Sequence, residues 1–145
     1  MQILYRPASQ KDFEITLKIK KLALGPYIAQ VWGWDDAFQQ TYHSEHFNPK
    51  STTLLLHQER VIGFLEKVEK SDSIFIQNLL ILPSFQNKGI GTSLLKQILE
   101  EARKLEKTVT LNVLKVNTRA FGLYLGLGFT VRTTTEVAFE MVLLA

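Results

Sequence analysis

Two short stretches carry residue types and spacings that could do chemistry. The first is Gln86-Asn87-Lys88-Gly89-Ile90-Gly91-Thr92, which follows the apolar run Leu79-Leu80-Ile81-Leu82 and Pro83. Glycines let a backbone turn tightly and come close to a ligand, and the first turn of a helix presents N–H groups with no partner inside it. A strand, a turn and a helix start in that order make a site for an anion such as phosphate. The same glycines could also do no more than ease the turn. A dinucleotide fingerprint fits poorly, because the third glycine and an early βαβ unit are missing, and a P-loop would need Gly-Lys-Ser/Thr after four spacers. The second stretch is Asn117 to Phe129. Asn117 suits a helix N-cap, and Tyr124 follows about two turns later. A phenol with a pKa near 10 keeps its proton at neutral pH and can donate it. Each residue could equally serve only to cap or to pack.

The elements around these stretches can be read from pattern. Gln2 to Arg6 reads as a first strand, ended by Pro7. Ser9 with Asp12 three residues on forms a capping-box pair for a helix from about Gln10. Its stripe is Phe13, Leu17 and Leu24, widened by Ile15, Ile19 and Leu22. Gly25-Pro26 breaks that helix, and a second runs from about Tyr27 to Tyr42 with Gly33 as its weak point. After the Asn48-Pro49 loop come three strands, Thr52 to His57, Val61 to Val68 and Ser73 to Leu82, as an antiparallel meander. The nearly continuous apolar end of the third suggests burial on both faces. The most periodic helix spans about Gly89 to Leu105, with Leu94, Leu95, Ile98, Leu99, Ala102 and Leu105 on one side. Strand Thr108 to Leu114, helix Thr118 to Leu125, and the strand pair Phe129 to Thr133 and Val137 to Leu144 complete the chain. The order β-α-α-β-β-β-α-β-α-β-β is that of a mixed α/β domain.

Composition narrows the class. A chain of 145 residues is expected to form one domain, residues 1–145. The net charge of +3 suits anionic ligands, but no run of five like charges suggests nucleic acid as a partner. No cysteine is present, which removes disulfides, thiolate metal sites and a cysteine nucleophile. No apolar run approaches the ~18 residues of a membrane span, and Met1 to Arg6 lacks a signal-peptide layout, so a cytoplasmic protein without a membrane partner is expected.

Gln86-Asn87-Lys88-Gly89-Ile90-Gly91 resembles the Gln/Arg-x-x-Gly-x-Gly/Ala signature of the GNAT superfamily of N-acetyltransferases. Asn117-Thr118-Arg119-Ala120 with Tyr124, Gly128 and Phe129 resembles that family's second motif, Asn-x-x-Ala…Tyr…Gly-Phe. The resemblance covers about residues 54 to 143. It implies a mixed, mostly antiparallel central sheet flanked by helices, and transfer of an acetyl group from acetyl-CoA to an amine. It also implies roles. Backbone of Leu79, Leu80 and Ile81 would bond the pantetheine arm and polarise the acetyl carbonyl. Gln86, Asn87, Lys88, Gly89, Ile90, Gly91 and Thr92 would wrap the pyrophosphate, and Asn117 would contact coenzyme A. Tyr124 would be the general acid that protonates the departing thiolate.

The base has no such match. The position matching the family's acidic residue on the strand after the long helix holds Asn112, and Phe75, Gln77 and Asn78 hold the positions before the loop. Glu66, Glu136, His43 and Glu45 are the remaining candidates, and each is expected to be a solvated surface residue. The acceptor is expected to lie against the first two helices and the closing strands, and in Trp32-Gly33-Trp34-Asp35-Asp36 the residues Trp34 and Asp35 could face a cationic amine, or could be one packed tryptophan and a solvated acidic turn. It could be a small-molecule amine or a protein or peptide amine. His43 and His46 lack a familiar third ligand, so no metal is expected. A homodimer is left open. Two other classes compete with the enzyme: a non-catalytic acyl-CoA-binding regulatory module, and an enzyme using the same loop for a mononucleotide.

Overall fold

The computed structural model describes all 145 residues. The strands order as β1-β2-β3-β4-β5-β7-β6 in a seven-stranded, mostly antiparallel sheet, with five α-helices along the chain. The chain folds as two compact units, Met1–Glu66 with Asn78–Lys88, and Lys67–Gln77 with Gly89–Ala145. No helix is long and apolar enough to cross a membrane.

In the first unit, β1 is Leu4–Pro7, α1 is Phe13–Ala23, α2 is Gly25–Val31 and α3 is Asp36–His46. Strand β2 is Thr52–His57, and β3 is Arg60–Glu69, most of which lies in this unit. The expected second helix is two helices. The chain stops at Trp32, turns at Gly33 with φ +79°, and restarts where Asp35 accepts a hydrogen bond from the Phe38 N–H at 2.9 Å. Glycine takes that left-handed turn at little cost. Helix α1 is rolled relative to the expected stripe. Thr16, Ile19 and Lys20 are buried, whereas Leu22 is exposed. The roll is set by polar bonds: Thr16 Oγ1 lies 2.9 Å from His43 Nε2, and the His43 ring packs on Phe13 and Phe47. Those contacts hold α1 against α3.

The capping box forms as expected. Lys11 N–H donates to Ser9 Oγ, and Ser9 N–H donates to Asp12 Oδ2 at 2.8 Å. Arg6 adds two bonds to the same carboxylate, each 3.1 Å. These donors, Arg6 foremost, hold the Asp12 carboxyl below its ordinary range. A lowered carboxylate pKa stabilises the fold above the unfolded-state pKa, and that gain is lost as pH falls through the folded value. Asp12→Ala should therefore cost about 1–3 kcal/mol at neutral pH. Denaturant unfolding of both proteins should show the gap shrinking in acid.

In the second unit, β4 is Ser73–Ile81, of which Ser73 to Gln77 belong here. Helix α4 is Ile90–Lys104, β5 is Thr108–Leu114, α5 is Thr118–Gly126, β6 is Thr130–Thr134 and β7 is Ala138–Leu143. Residues Ser73 to Ile76 of β4 pair in parallel with Thr108 to Leu111 of β5. Strand β7 pairs antiparallel with both β5 and β6. Leu94, Leu95, Ile98 and Ala102 of α4 are buried, as the period predicts, and so is Ile90; Leu99 is only half-buried, and Leu105 lies past the helix end and is exposed.

Candidate active site

The joint between β4 and α4 is built from backbone conformations that few residues adopt. Pro83–Phe85 forms one 3-10 turn, and Gln86 is extended. Asn87 then takes φ 65° and Gly89 takes φ 79°, both left-handed. Asparagine and glycine are the residue types that visit this region most readily. A Cβ on Gly89 would meet nothing within 4 Å, so the glycine is required by φ and not by crowding. Gln86 Nε2 donates to the carbonyl of Ile81 at 2.8 Å, which ties the loop to the end of β4.

Gly89 is the N-cap of α4, and no side chain caps the helix there. The first intrahelical bond is from the Ser93 N–H to the Gly89 carbonyl, at 2.9 Å. The N–H groups of Ile90, Gly91 and Thr92 therefore have no partner in the helix ladder. Added to the positive end of the helix dipole, they form a place for a negative group. Gly89 and Lys88 are exposed, and Gly91 and Thr92 are half-buried.

Leu79, Leu80 and Ile81 are only half-buried, which corrects the expected burial on both faces. Strand β4 runs on for five residues beyond Ile76, the last residue at which it pairs with β5. An apolar strand end with partly open side chains suits a ligand with an apolar arm.

Asn117 caps α5 as expected, its Oδ1 accepting from the Ala120 N–H at 3.2 Å. Tyr124 follows on the same helix, half-buried, with its ring edge-on to Phe129 at 5.8 Å. Burial raises the Tyr124 pKa above that of a free phenol. The hydroxyl thus keeps its proton across the working pH range of most proteins.

The acceptor-side residues have intramolecular roles. Asp35 caps α3, Trp34 Nε1 donates to Asp36 Oδ1 at 2.7 Å, and the Trp34 ring lies against Gly25. Among the four candidate bases, Glu45 and Glu136 are exposed as expected. Glu66 and His43 are buried instead, at 5% and 4% exposure. His43 is held by Thr16 Oγ1 and the Phe13 carbonyl, and His46 Nδ1 by the Tyr42 carbonyl. No group of three His, Cys, Asp or Glu side chains is placed to hold a metal. Asn78 was no candidate by residue type, yet its side chain reaches the buried Glu66. The signal was a lone carboxylate inside the apolar run Val61 to Val68.

Known proteins resemble this chain in sequence and in fold. The model of the acetyltransferase (GNAT) family matches residues 17–129. Over 75 residues the chain is 32% identical to the spore coat polysaccharide biosynthesis protein SpsD of Bacillus subtilis (strain 168), covering 51% of this chain and 26% of that protein. It is 31% identical over 75 residues to the L-2,4-diaminobutyric acid acetyltransferase of Vibrio parahaemolyticus, covering 46% of this chain and 41% of that one. The chain thus matches well under half the length of either. Among solved structures, the PaiA N-acetyltransferase of Thermoplasma acidophilum, crystallised with coenzyme A, superposes over all of both chains with a TM-score of 0.81 at 19% identity. The ribosomal-protein-S18-alanine N-acetyltransferase of Escherichia coli does so with a TM-score of 0.73 at 22% identity, over 99% of this chain and 94% of that one. These likenesses establish the fold, and the family match establishes the kinship: the chain belongs to the acetyltransferase (GNAT) family, whose acyltransferases use acetyl-CoA.

Proposed function

We propose that this chain moves an acetyl group from acetyl-CoA to a primary amine, the two substrates being held together. The observation that carries the reading is the pair of left-handed residues, Asn87 and Gly89, leading into the uncapped N-terminus of α4. In a family member, that joint fits a pyrophosphate. The N–H groups of Ile90, Gly91 and Thr92 would donate to phosphate oxygens, with Lys88 adding positive charge. Gln86 serves by fixing the loop to β4. The half-buried Leu79, Leu80 and Ile81 would line the pantetheine arm, their backbone groups matching its amides and one N–H facing the acetyl carbonyl. Asn117 has its carbonyl oxygen committed to the cap, which leaves its amide N–H₂ for the cofactor.

Tyr124 supplies the proton for the departing thiolate. Its raised pKa suits a group that must be protonated before transfer. Tyr124→Phe removes only that hydroxyl. It should lower kcat for amine-stimulated thiol release about 100-fold, as expected for loss of a general acid. The acetyl-CoA dissociation constant, measured by calorimetry, should stay unchanged. Acetyl-CoA binding with no release by any amine would instead make the chain an acyl-CoA-binding regulatory module.

A further inference from the structure

Burying a carboxylate is costly unless its charge is answered. Two carboxylates of this chain are buried, Asp12 and Glu66. Asp12 is answered by Arg6 and the Ser9 cap. Glu66 makes no ion pair, and its side-chain partner is the neutral amide of Asn78, whose Nδ2 donates to Oε1 at 3.2 Å. A purely structural residue at this place on β3 would more simply be apolar, like Ile62, Phe64 and Leu65 before it.

The titratable groups that face Glu66 are Lys20 from α1 and His46 from α3. From β2, the register neighbour Thr52 is uncharged, its hydroxyl donating to the Asn48 carbonyl. Lys20 is itself buried, its ammonium 4.5 Å above the Tyr42 ring, and Tyr42 stacks on His46 at 4.0 Å. Positive charge is therefore nearby but not bonded to the carboxylate. Asn78 directly precedes Leu79, so its Cα lies about 3.8 Å from the first residue of the strand end assigned above to the acetyl arm.

Resting on that assignment, we propose that Glu66 is the base that takes a proton from the acceptor amine, directly or through one water, with Asn78 positioning its carboxylate. An ammonium gives one proton to Glu66 and becomes the neutral nucleophile. Its lone pair bonds the acetyl carbon, the carbon–sulfur bond breaks, and the thiolate takes a proton from Tyr124. The second proton shed by the nitrogen returns to Tyr124 through water, and Glu66 releases its own to solvent. One proton is set free per acetyl group moved. Desolvation raises the Glu66 pKa above its ordinary value, which strengthens it as a base, while the Asn78 bond and the nearby Lys20 partly offset this.

The test is thiol release from acetyl-CoA with spermidine, 2,4-diaminobutyrate and an alanine-led peptide as probes. Glu66→Gln, which keeps the bond to Asn78, should lower kcat/KM for the best probe at least ~100-fold near neutral pH. It should leave acetyl-CoA affinity unchanged and replace the rising limb set by the carboxylate with one set by the amine alone, so that the defect narrows as pH nears the amine's own pKa. Asn78→Ala should shift the carboxylate limb to higher pH, because it removes a bond that favours the charged carboxylate. Thermal melts of both variants establish that they fold. Activity of Glu66→Gln within threefold of wild type, with the limb intact, would overturn the base assignment alone. Acetyl-CoA binding by the wild type with no release by any amine of a broad panel that includes these three would overturn the transferase reading, and the base with it.

Discussion

Gly91→Glu should abolish acetyl-CoA binding. Gly91 is the second residue of α4, where its N–H has no intrahelical partner and its surroundings are half open. A glutamate there sets bulk and negative charge where the pyrophosphate would sit. Losing two charge-assisted hydrogen bonds at about 1.5–3 kcal/mol each weakens binding by ~100-fold or more, before charge repulsion is added. Helix α4 should persist, since its buried face of Leu94, Leu95, Ile98 and Ala102 is untouched. Calorimetry with acetyl-CoA measures the loss, and circular dichroism checks the fold. A folded variant with wild-type affinity would refute the pyrophosphate site. The same titration with ATP separates the mononucleotide reading, which requires ATP to bind more tightly.

Gly63→Ala should be among the most destabilising single substitutions in the chain. A Cβ on Gly63 in β3 would stand 2.5 Å from the Leu80 carbonyl oxygen and 3.2 Å from the Ile81 Cα. Those neighbours are backbone, so no side chain can swing away to make room. Overpacking a core typically costs 1–3 kcal/mol, and displacing a strand places the cost at the upper end, about 3 kcal/mol or more. For a chain of this length that lowers Tm by roughly 6–12 °C. The strand that must yield is the Leu79–Ile81 end, so the variant should also bind acetyl-CoA less tightly. Denaturant unfolding gives the stability change, and a loss under 1 kcal/mol would contradict the close approach.

Most of the fold was legible because its signals are local. Ser9 and Asp12 cap where their types require, Asn117 caps α5, and the 3.6-residue period of α4 picks out its buried Leu94, Leu95, Ile98 and Ala102. Strands β2 and β5 have the expected limits, Thr52–His57 and Thr108–Leu114. The misses depended on partners remote in sequence. Helix α1 turns its Thr16 inward because His43 lies 27 positions later, and apolar spacing carries no trace of that bond. The open end of β4 reads as a buried run, because composition records that Leu79 to Ile81 are apolar but not what covers them. Gly33 weakened the expected second helix enough to divide it, but the sequence did not show that Asp35 would restart it.

The candidate site was legible in the same uneven way. Turn chemistry exposed the donor side, since Asn87 and Gly89 are the residue types that left-handed backbone demands. The acceptor side was not exposed. Trp34 and Asp35 stood out by type, yet they are engaged with Asp36, Gly25 and the start of α3. Glu66 looked like a surface residue by composition, and only the fold reveals that it is buried and bonded to Asn78.

The proposed chemistry stands or falls with acetyl-CoA sitting on the joint between β4 and α4. A titration of the ¹⁵N-labelled protein with acetyl-CoA, followed through its backbone amide resonances, reads that placement residue by residue. The largest shifts should fall on Asn87 to Thr92 and on Leu79 to Ile81. Saturable binding that leaves those amides unmoved while others shift would contradict it.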